Sequence, residues 1–324
     1  MTTDPDTTRP GVVLRNLPSL PAETEAMRPR PVIEDQTYMF TRRCSERRFF
    51  LRPDVETTNA FWYCLGWAAE KHAQVLHAAV ALSNHAHVVA SDPHGVYPDF
   101  LRDFHGLLAR VVNAWRGRWE HFWDANQASA VALEGEGAQL DKLVYVLTNP
   151  VGLVEKARDW PGATALDAIL TDRPIIATRP KHFFREGEEG GTMPERVTIT
   201  FKPPPALAQL SREEYVRLVQ DNVALVEREA ATRRRENGTA VLGRSLILGQ
   251  HWNDRPPDAE PRRELSPVLA CRDKWLRIER LRQNKLFQKL YRAAFQAFRA
   301  GVAATFPLGT WSMRFRASIQ ISTA

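Results

Sequence analysis

Two apolar, β-rich runs joined by a two-residue turn constrain the fold of this chain most strongly. They read VLHAAVAL at 75–82 and HAHVVAS at 85–91, and the dipeptide SN between them is compatible with a tight hairpin. Successive side chains of a strand point to opposite faces, so His85 and His87 are predicted to share one face. The H-x-H element thus opens the second strand of a hairpin, where two imidazoles could bind one ion or simply make hydrogen bonds.

The segments around the hairpin predict an α+β fold with a ferredoxin-like (RRM-like) β-α-β-β-α-β core. Hydrophobic periodicity and capping signals predict a strand at 37–43, a helix at 60–72 capped by Asp54 or Thr57, a second helix within 100–119 whose end is marked by Gly117, and a fourth strand within 120–134. A third helix at 139–154 is appended to this core. It is broken near Asn149-Pro150, because proline removes an amide donor and disfavours helical geometry before it.

The 324 residues are expected to form more than one unit. We predict a disordered N-terminal arm at 1–31, a core domain at 32–170, a linker with a short strand at 171–210, and a mainly helical, basic accessory domain at 211–324. In the last of these, the S-x-x-E capping box at Ser211 begins a helix that Asn237-Gly238 ends. A long helix then starts within LSPVLACRDKWLRI, and 262–299 carries 11 Lys and Arg against 3 Asp and Glu.

Composition and charge set broad limits on function. Net charge is +6 and the pI about 9.4, carried mostly by arginine, which is consistent with a polyanionic partner or with an arginine-rich proteome from a GC-rich genome. No apolar run approaches the roughly 18 residues of a membrane span. The start lacks the features of a secretory signal, and the three cysteines have no C-x-x-C spacing, so a cytoplasmic protein without disulfides is expected.

Four short motifs follow one another across about residues 37–165: SNHAHVV, HGLLARVVNAWRGR, LVYVLTNPVGLV and ARDWPGA. In this order they resemble the IS200-like single-tyrosine (HUH) transposases, in particular the group associated with repetitive extragenic palindromes (REP). The chain after about residue 175 lies outside the resemblance. A DNA transposase, that is, a single-strand endonuclease and strand transferase, is therefore expected.

The resemblance implies roles for four residues of the site. His85 and His87 would hold Mg²⁺ or Mn²⁺ against the scissile phosphate, and Asn149 would complete the metal shell. Tyr145 would attack phosphorus and form a 5′-phosphotyrosine. Without the resemblance, Tyr145 reads as an ordinary core tyrosine on an apolar helix, and Asn149 as a helix stop before a proline.

The same resemblance implies the partners of the chain. Single-stranded or hairpin DNA is the expected substrate, with association to the nucleoid when DNA is bound, and Arg110, Arg116 and Arg118 match DNA contacts on the second helix. Relatives occur as monomers and as dimers, so a homodimer is one expectation. Two alternatives remain open: a zinc hydrolase that needs a third His, Asp or Glu ligand, and a domesticated transposase that binds nucleic acid and cleaves it rarely or never.

Overall fold

The computed structural model describes residues 29–126, 128–181, 193–257, 267–315 and 319–322. The predicted N-terminal arm therefore lies outside the described residues except for its last three positions, and so does the middle of the predicted linker. The first described residues are attached to the rest of the molecule by hydrogen bonds. The Arg30 guanidinium donates to Ala130 O (2.8 Å), and Val32 N–H donates to Gly309 O (2.9 Å).

The described residues contain nine strands and seven helices. In chain order the strands are β1 (Gln36–Arg43), β2 (Val75–Leu82), β3 (His85–Asp92), β4 (Ser129–Glu134), β5 (Ile175–Thr178), β6 (Arg196–Ile199), β7 (Leu269–Cys271), β8 (Thr305–Phe306) and β9 (Gln320–Ile321). The helices are α1 (Val55–Lys71), α2 (Tyr97–Trp115), α3 (Gly135–Thr148), α4 (Leu166–Thr171), α5 (Arg212–Asn237), α6 (Arg244–Gly249) and α7 (Lys274–Arg299). Within the segments that the structure describes, no helix combines the length and the apolar character of a membrane span.

Five strands form a central, mostly antiparallel sheet in the order β2-β3-β1-β4-β7, in which the β4–β7 pair is parallel. The first six elements, β1-α1-β2-β3-α2-β4, follow the order predicted from the sequence. The predicted hairpin is confirmed, with Leu82 opposite His85 across the turn. β2 and β3 each bury every residue after the first, because helices cover both faces of the sheet.

The two faces of the sheet carry different helices. Phe40 of β1 packs on Tyr97 and Phe100 of α2, with ring centroids 5.4 and 6.0 Å apart, and α1 packs beside α2. Neighbouring residues of a strand point to opposite faces, so Thr41 and its cross-strand partner His87 face the other way, toward α3. Helix α5 in turn packs against α3. The histidine pair and α3 thus share the face opposite to α1 and α2.

Helix α1 begins at an N-cap that also forms an ion pair. Asp54 accepts a hydrogen bond from Thr57 N–H (2.8 Å), one of the two caps that the sequence offers, and its second carboxylate oxygen lies 3.1 Å from the Arg116 guanidinium. Arg116 also donates to Thr57 Oγ1 (2.9 Å), and its side chain is only 3% exposed. This contact joins the end of α2 to the start of α1.

Helix α5 begins and ends where the sequence predicts. The Ser211 hydroxyl accepts from Glu214 N–H, and the Glu214 carboxylate accepts from Ser211 N–H in return. The helix ends at Gly238, whose φ of +62° is the left-handed conformation that favours glycine. Its buried residues lie in the first half, so the second half presents mostly exposed side chains.

The C-terminal segment differs from its prediction, because it adds a strand to the central sheet. Leu269 of β7 lies opposite Ala132 of β4, and Ala132 N–H donates to Val268 O (3.0 Å). The sequence assigned these residues to the start of the long basic helix, which begins only at Lys274 after an Asp273 N-cap. A three-residue strand whose partner is far away in the chain leaves no local periodicity to detect.

The described residues of the predicted linker form a pair of strands rather than one. β6 accounts for the short strand predicted within this linker, and it pairs with β5 in an antiparallel register that places Ile175 opposite Ile199. This small sheet packs closely on α1, since a Cβ atom at Gly66 would lie 2.7 Å from the Ile199 side chain. The described part of the segment is therefore packed on the core.

Removing the Asp54 carboxylate tests the contact between α1 and α2. We expect Asp54→Ala to lower the free energy of unfolding by about 3 kcal/mol, because it removes a helix cap and leaves the buried Arg116 guanidinium without its counter-charge. Asp54→Asn keeps an oxygen for the cap and should lose less. Urea unfolding followed by circular dichroism measures both variants, and small, equal losses would contradict a buried ion pair.

Candidate active site

The turn that precedes β3 is held by the chain that follows β1. Cys44 N–H donates to Asn84 O (2.8 Å), and Leu51 N–H donates to Ser83 O (2.9 Å). Both turn carbonyls therefore have partners, and the first residue of β3, His85, starts the strand in a defined position.

His85 and His87 lie on the same face of β3, as the alternation of a strand predicts. Their ring centroids are 4.9 Å apart, and the rings are inclined at 82°. His87 is 4% exposed, whereas His85 is only partly buried at the start of the strand. The pair thus combines one ring that reaches solvent with one that lies beneath it.

His87 presents a buried ring nitrogen that lacks a partner. Its Nδ1 lies 2.8 Å from Thr41 Oγ1 on β1, whereas its Nε2 is buried without a hydrogen-bond partner among the described residues. Burial lowers the pKa of His87 well below its ordinary value, and the charges of His85, Arg43 and Lys142 lower that pKa further. The ring is therefore neutral near pH 7, which is the form that binds a metal.

His85 faces an acceptor from each of its ring nitrogens. Nδ1 lies 2.7 Å from Asn84 Oδ1, which can only accept a hydrogen bond, so the tautomer with its proton on Nδ1 satisfies this contact. In that neutral tautomer Nε2 carries a lone pair and no proton, and it lies 3.3 Å from Asn149 Oδ1, a second acceptor. Two lone pairs in this position repel each other unless a proton or a cation lies between them.

Tyr145 and Asn149 lie one helical turn apart at the end of α3. Tyr145 is 44% exposed, and its ring centroid lies 5.3 Å from that of His87. The helix ends one residue before Asn149, which nevertheless keeps helical φ and ψ angles of −53° and −35° as it opens a 3-10 turn. The helical path therefore continues far enough for the Asn149 side chain to reach His85.

The donor set of this site fits a divalent cation. Within the described part of the chain the Nε2 atom of His87 has no hydrogen-bond partner, and Nε2 of His85 lies 3.3 Å from Asn149 Oδ1. Two ligands at right angles on an ion about 2.1 Å from each lie about 3 Å apart, and neutral imidazoles and amide oxygens both bind divalent ions. Among the described residues no three His, Cys, Asp or Glu side chains are grouped to hold a metal, so the third protein donor offered here is an amide.

The three arginines predicted as DNA contacts lie away from the tyrosine. Arg110 is on α2 and Arg116 and Arg118 follow its end, while α2 covers the face of the sheet opposite to α3. Arg116, paired with Asp54, has almost no surface to offer a phosphate. The Arg118 guanidinium carbon lies 3.6 Å from the centroid of the Phe50 ring. Arg110 is exposed. The contacts of Arg116 favour a structural role, and DNA contacts through the other two stay predictions.

Three residues of the site escaped the sequence reasoning. Thr41, which pairs with His87, can be found only from the register of β1 against β3. The sequence predicts Asn84 only as a turn residue, although its position directly before His85 indicates that it can contact the ring of this histidine. Lys142, whose Nζ lies 5.4 Å from the Tyr145 ring centroid, could have been found from its spacing of three residues on a helix.

Solved structures that are similar to this chain include two transposases. One is a REP-associated tyrosine transposase bound to a REP hairpin, with 16% identity over 52% of this chain and 92% of the other and a TM-score of 0.39. The second is a candidate transposase from Deinococcus radiodurans R1, with 17% identity over 35% of this chain and 90% of the other and a TM-score of 0.28. No protein-family model and no curated protein matches the sequence. At these TM-scores the two similarities define neither the fold nor the function of the chain.

We expect His87 of the metal-free protein to stay neutral at pH values where an ordinary histidine is protonated. Its folded-state pKa lies below the ordinary 6.5, so the unfolded chain takes up the proton first. The resulting contribution to stability is present above pH 6.5 and is lost as the pH falls. NMR of the imidazole rings measures the pKa, and His87→Gln should reduce the loss of unfolding free energy between pH 7 and pH 5. A titration near pH 6.5 would contradict the burial of this ring.

Proposed function

We propose that this chain is an IS200-like single-tyrosine transposase of the REP-associated group, which cleaves and rejoins single-stranded, hairpin-containing DNA. The observation that carries the proposal is the contact between Tyr145 and the histidine pair. The ring centroids of Tyr145 and His87 lie 5.3 Å apart although some 60 residues separate them in the chain, and Asn149, directly after the helix that carries Tyr145, reaches His85. A nucleophile, two imidazoles and an amide thus share one site.

Tyr145 is the nucleophile in this mechanism. Its Oη attacks the scissile phosphorus, a bond between Oη and phosphorus forms, and the bond from phosphorus to the 3′ oxygen breaks. The phenol loses its proton and the 3′ oxygen takes one up, which leaves a 5′-phosphotyrosine and a free 3′-hydroxyl. One phosphoester replaces another, so the reverse step joins strands without ATP. The 44% exposure of Tyr145 supports this role, since DNA must reach the hydroxyl.

His85, His87 and Asn149 would hold Mg²⁺ or Mn²⁺ beside the scissile phosphate. When bound, such a cation withdraws electron density from a non-bridging phosphate oxygen and balances the charge that develops on phosphorus. Asn84 and Thr41 orient the two rings through contacts at their Nδ1 atoms, and the two Nε2 atoms would serve as the nitrogen donors to the ion. Two nitrogen donors suit Mn²⁺ better than Mg²⁺, which prefers oxygen.

The charge around the site supports a phosphate as the substrate. The Lys142 ammonium lies near the Tyr145 ring, and Arg43 acts electrostatically on His87 together with Lys142. Cations in this position attract a phosphodiester and keep it close to the nucleophile.

We expect a covalent protein–DNA adduct when the chain is mixed with Mn²⁺ and labelled single-stranded oligonucleotides in which randomised flanks surround a hairpin. The adduct should survive denaturation and disappear in Tyr145→Phe, which lacks the attacking oxygen, and in His85→Ala. Tyr291→Phe, on α7, is the matched control and should keep it. An adduct in Tyr145→Phe would disprove the nucleophile assignment, and metal-dependent cleavage without any adduct would favour a hydrolase that uses water.

We also expect the amide of Asn149 and the hydroxyl of Thr41 to contribute to metal affinity. Asn149→Ala and Thr41→Val should each weaken Mn²⁺ binding by about 10- to 100-fold, because one removes a donor and the other frees the His87 ring. Asn149→Asp should retain binding through a carboxylate oxygen. Calorimetry measures these affinities, with Asn113→Ala on α2 as the control. An unchanged affinity in Asn149→Ala would remove this residue from the ligand set.

A further inference from the structure

A groove of about 570 Å³ opens beside Tyr145, between the end of α3 and the second half of α5. One wall, formed by α3 and the turn that follows it, includes Tyr145 and Asn149, and the α5 wall includes Val226, Arg233 and Arg234. The volume lies within the range of ordinary ligand sites. The α5 wall belongs to the part of the chain outside the family resemblance, so a segment predicted as an accessory domain lines the candidate active site.

Contacts on both sides hold the α5 wall against α3 and the turn that follows it. The Arg234 guanidinium donates through Nη1 to Val151 O (3.0 Å), and the Glu227 carboxylate accepts from Ala157 N–H (2.9 Å). The N–H of Gly243, in the segment after α5, donates to Leu153 O (3.0 Å). The groove is therefore formed by elements that are bonded to each other.

The chemistry of the groove suits a nucleic-acid strand. Arg233 and Arg234 contribute two cations, and none of the described residues that line the groove is acidic. Arg233 is 63% exposed and lies 3.8 Å from Glu229, itself 55% exposed, and such a surface pair is weak enough to exchange for a phosphate. Arg234 uses one of its five donors on Val151. The aliphatic side chains of Val226 and Ala230, which also line the groove, offer an apolar surface to a sugar or a base.

We propose that this groove binds the single-stranded segment next to the scissile phosphate, with Arg233 and Arg234 binding the phosphodiester that adjoins the one attacked by Tyr145. This inference rests on the proposed function, since it names the strand path into the same site. The planar guanidinium groups match phosphate oxygens in pairs, which positions the strand as well as attracting it. Helix α5 is then part of the substrate site.

Binding by the full chain carrying Tyr145→Phe tests the groove without cleavage. Fluorescence anisotropy of a labelled hairpin oligonucleotide with a single-stranded flank gives the affinity as a function of salt. Arg233→Gln and Arg234→Gln should each weaken binding by about 5- to 10-fold and reduce the slope of log K against log salt by about 0.7, the value for one phosphate contact on a single strand. Arg233→Lys, which keeps the charge, should recover most of the slope.

Arg228→Gln is the matched control, because it removes the same charge from an exposed position of α5 that does not line the groove. Its affinity and its salt slope should equal those of the parent chain. Arg234→Gln also loses the bond to Val151, so a thermal melt accompanies each variant. If Arg234→Gln melts lower than the parent, Arg233→Gln decides the question, since its side chain is largely exposed.

The adduct assay on the chain with Tyr145 intact separates the two proposals. An adduct together with unchanged affinity and slope in Arg233→Gln overturns the groove assignment and leaves the nuclease intact. No adduct together with the expected loss in the arginine variants overturns the nuclease and keeps the groove as a strand-binding site. A chain that binds no single-stranded DNA overturns both, and an equal loss on a fully paired duplex overturns the single-strand assignment.

Discussion

The pairing of β3 with β1, in the register that places Thr41 opposite His87, is the constraint on which the site depends. A shift by one residue would turn both histidines to the face that α1 and α2 cover, because side chains alternate along a strand. In the observed register Thr41 lies within hydrogen-bond distance of Nδ1 of His87, the ring packs against Tyr145, and Nε2 has no hydrogen-bond partner among the described residues. The turn bonds from Cys44 and Leu51 secure the same strand at its first residue.

Short-range sequence patterns predict a large part of the fold. The hairpin, the Asp54 cap of α1 and both ends of α5 depend on residues close together in the chain, and the sequence predicts each of them. The pairing of β7 with β4 and the pairing of β5 with β6 join segments that are distant in the chain, so the local sequence of one strand does not reveal its partner. The site divides in the same way: Tyr145 and Asn149 follow from helical spacing, whereas the pairing of Thr41 with His87 follows only from sheet register.

The arginines show why composition alone is a weak guide to a DNA surface. Arg116 is buried and ion-paired, so its charge is spent on joining two helices, whereas Arg233 is exposed at the rim of a groove. Both contribute equally to the net charge of +6. The burial of the guanidinium and the strength of its pairing with a neighbouring carboxylate decide whether an arginine has a structural role or can bind a phosphate.

The parallel pairing of β7 with β4 affects when the sheet is completed during synthesis. β4 ends at Glu134, but the strand that covers its outer edge ends at Cys271, so more than a hundred residues leave the ribosome while that edge has no β7 beside it. An open strand edge is a template for pairing with other chains, and domains fold from the N-terminus during translation. During synthesis the sheet of this protein therefore forms while the outer edge of β4 is still unpaired. At that stage, nascent chains on the same polysome could compete for the hydrogen bonds that β7 makes later.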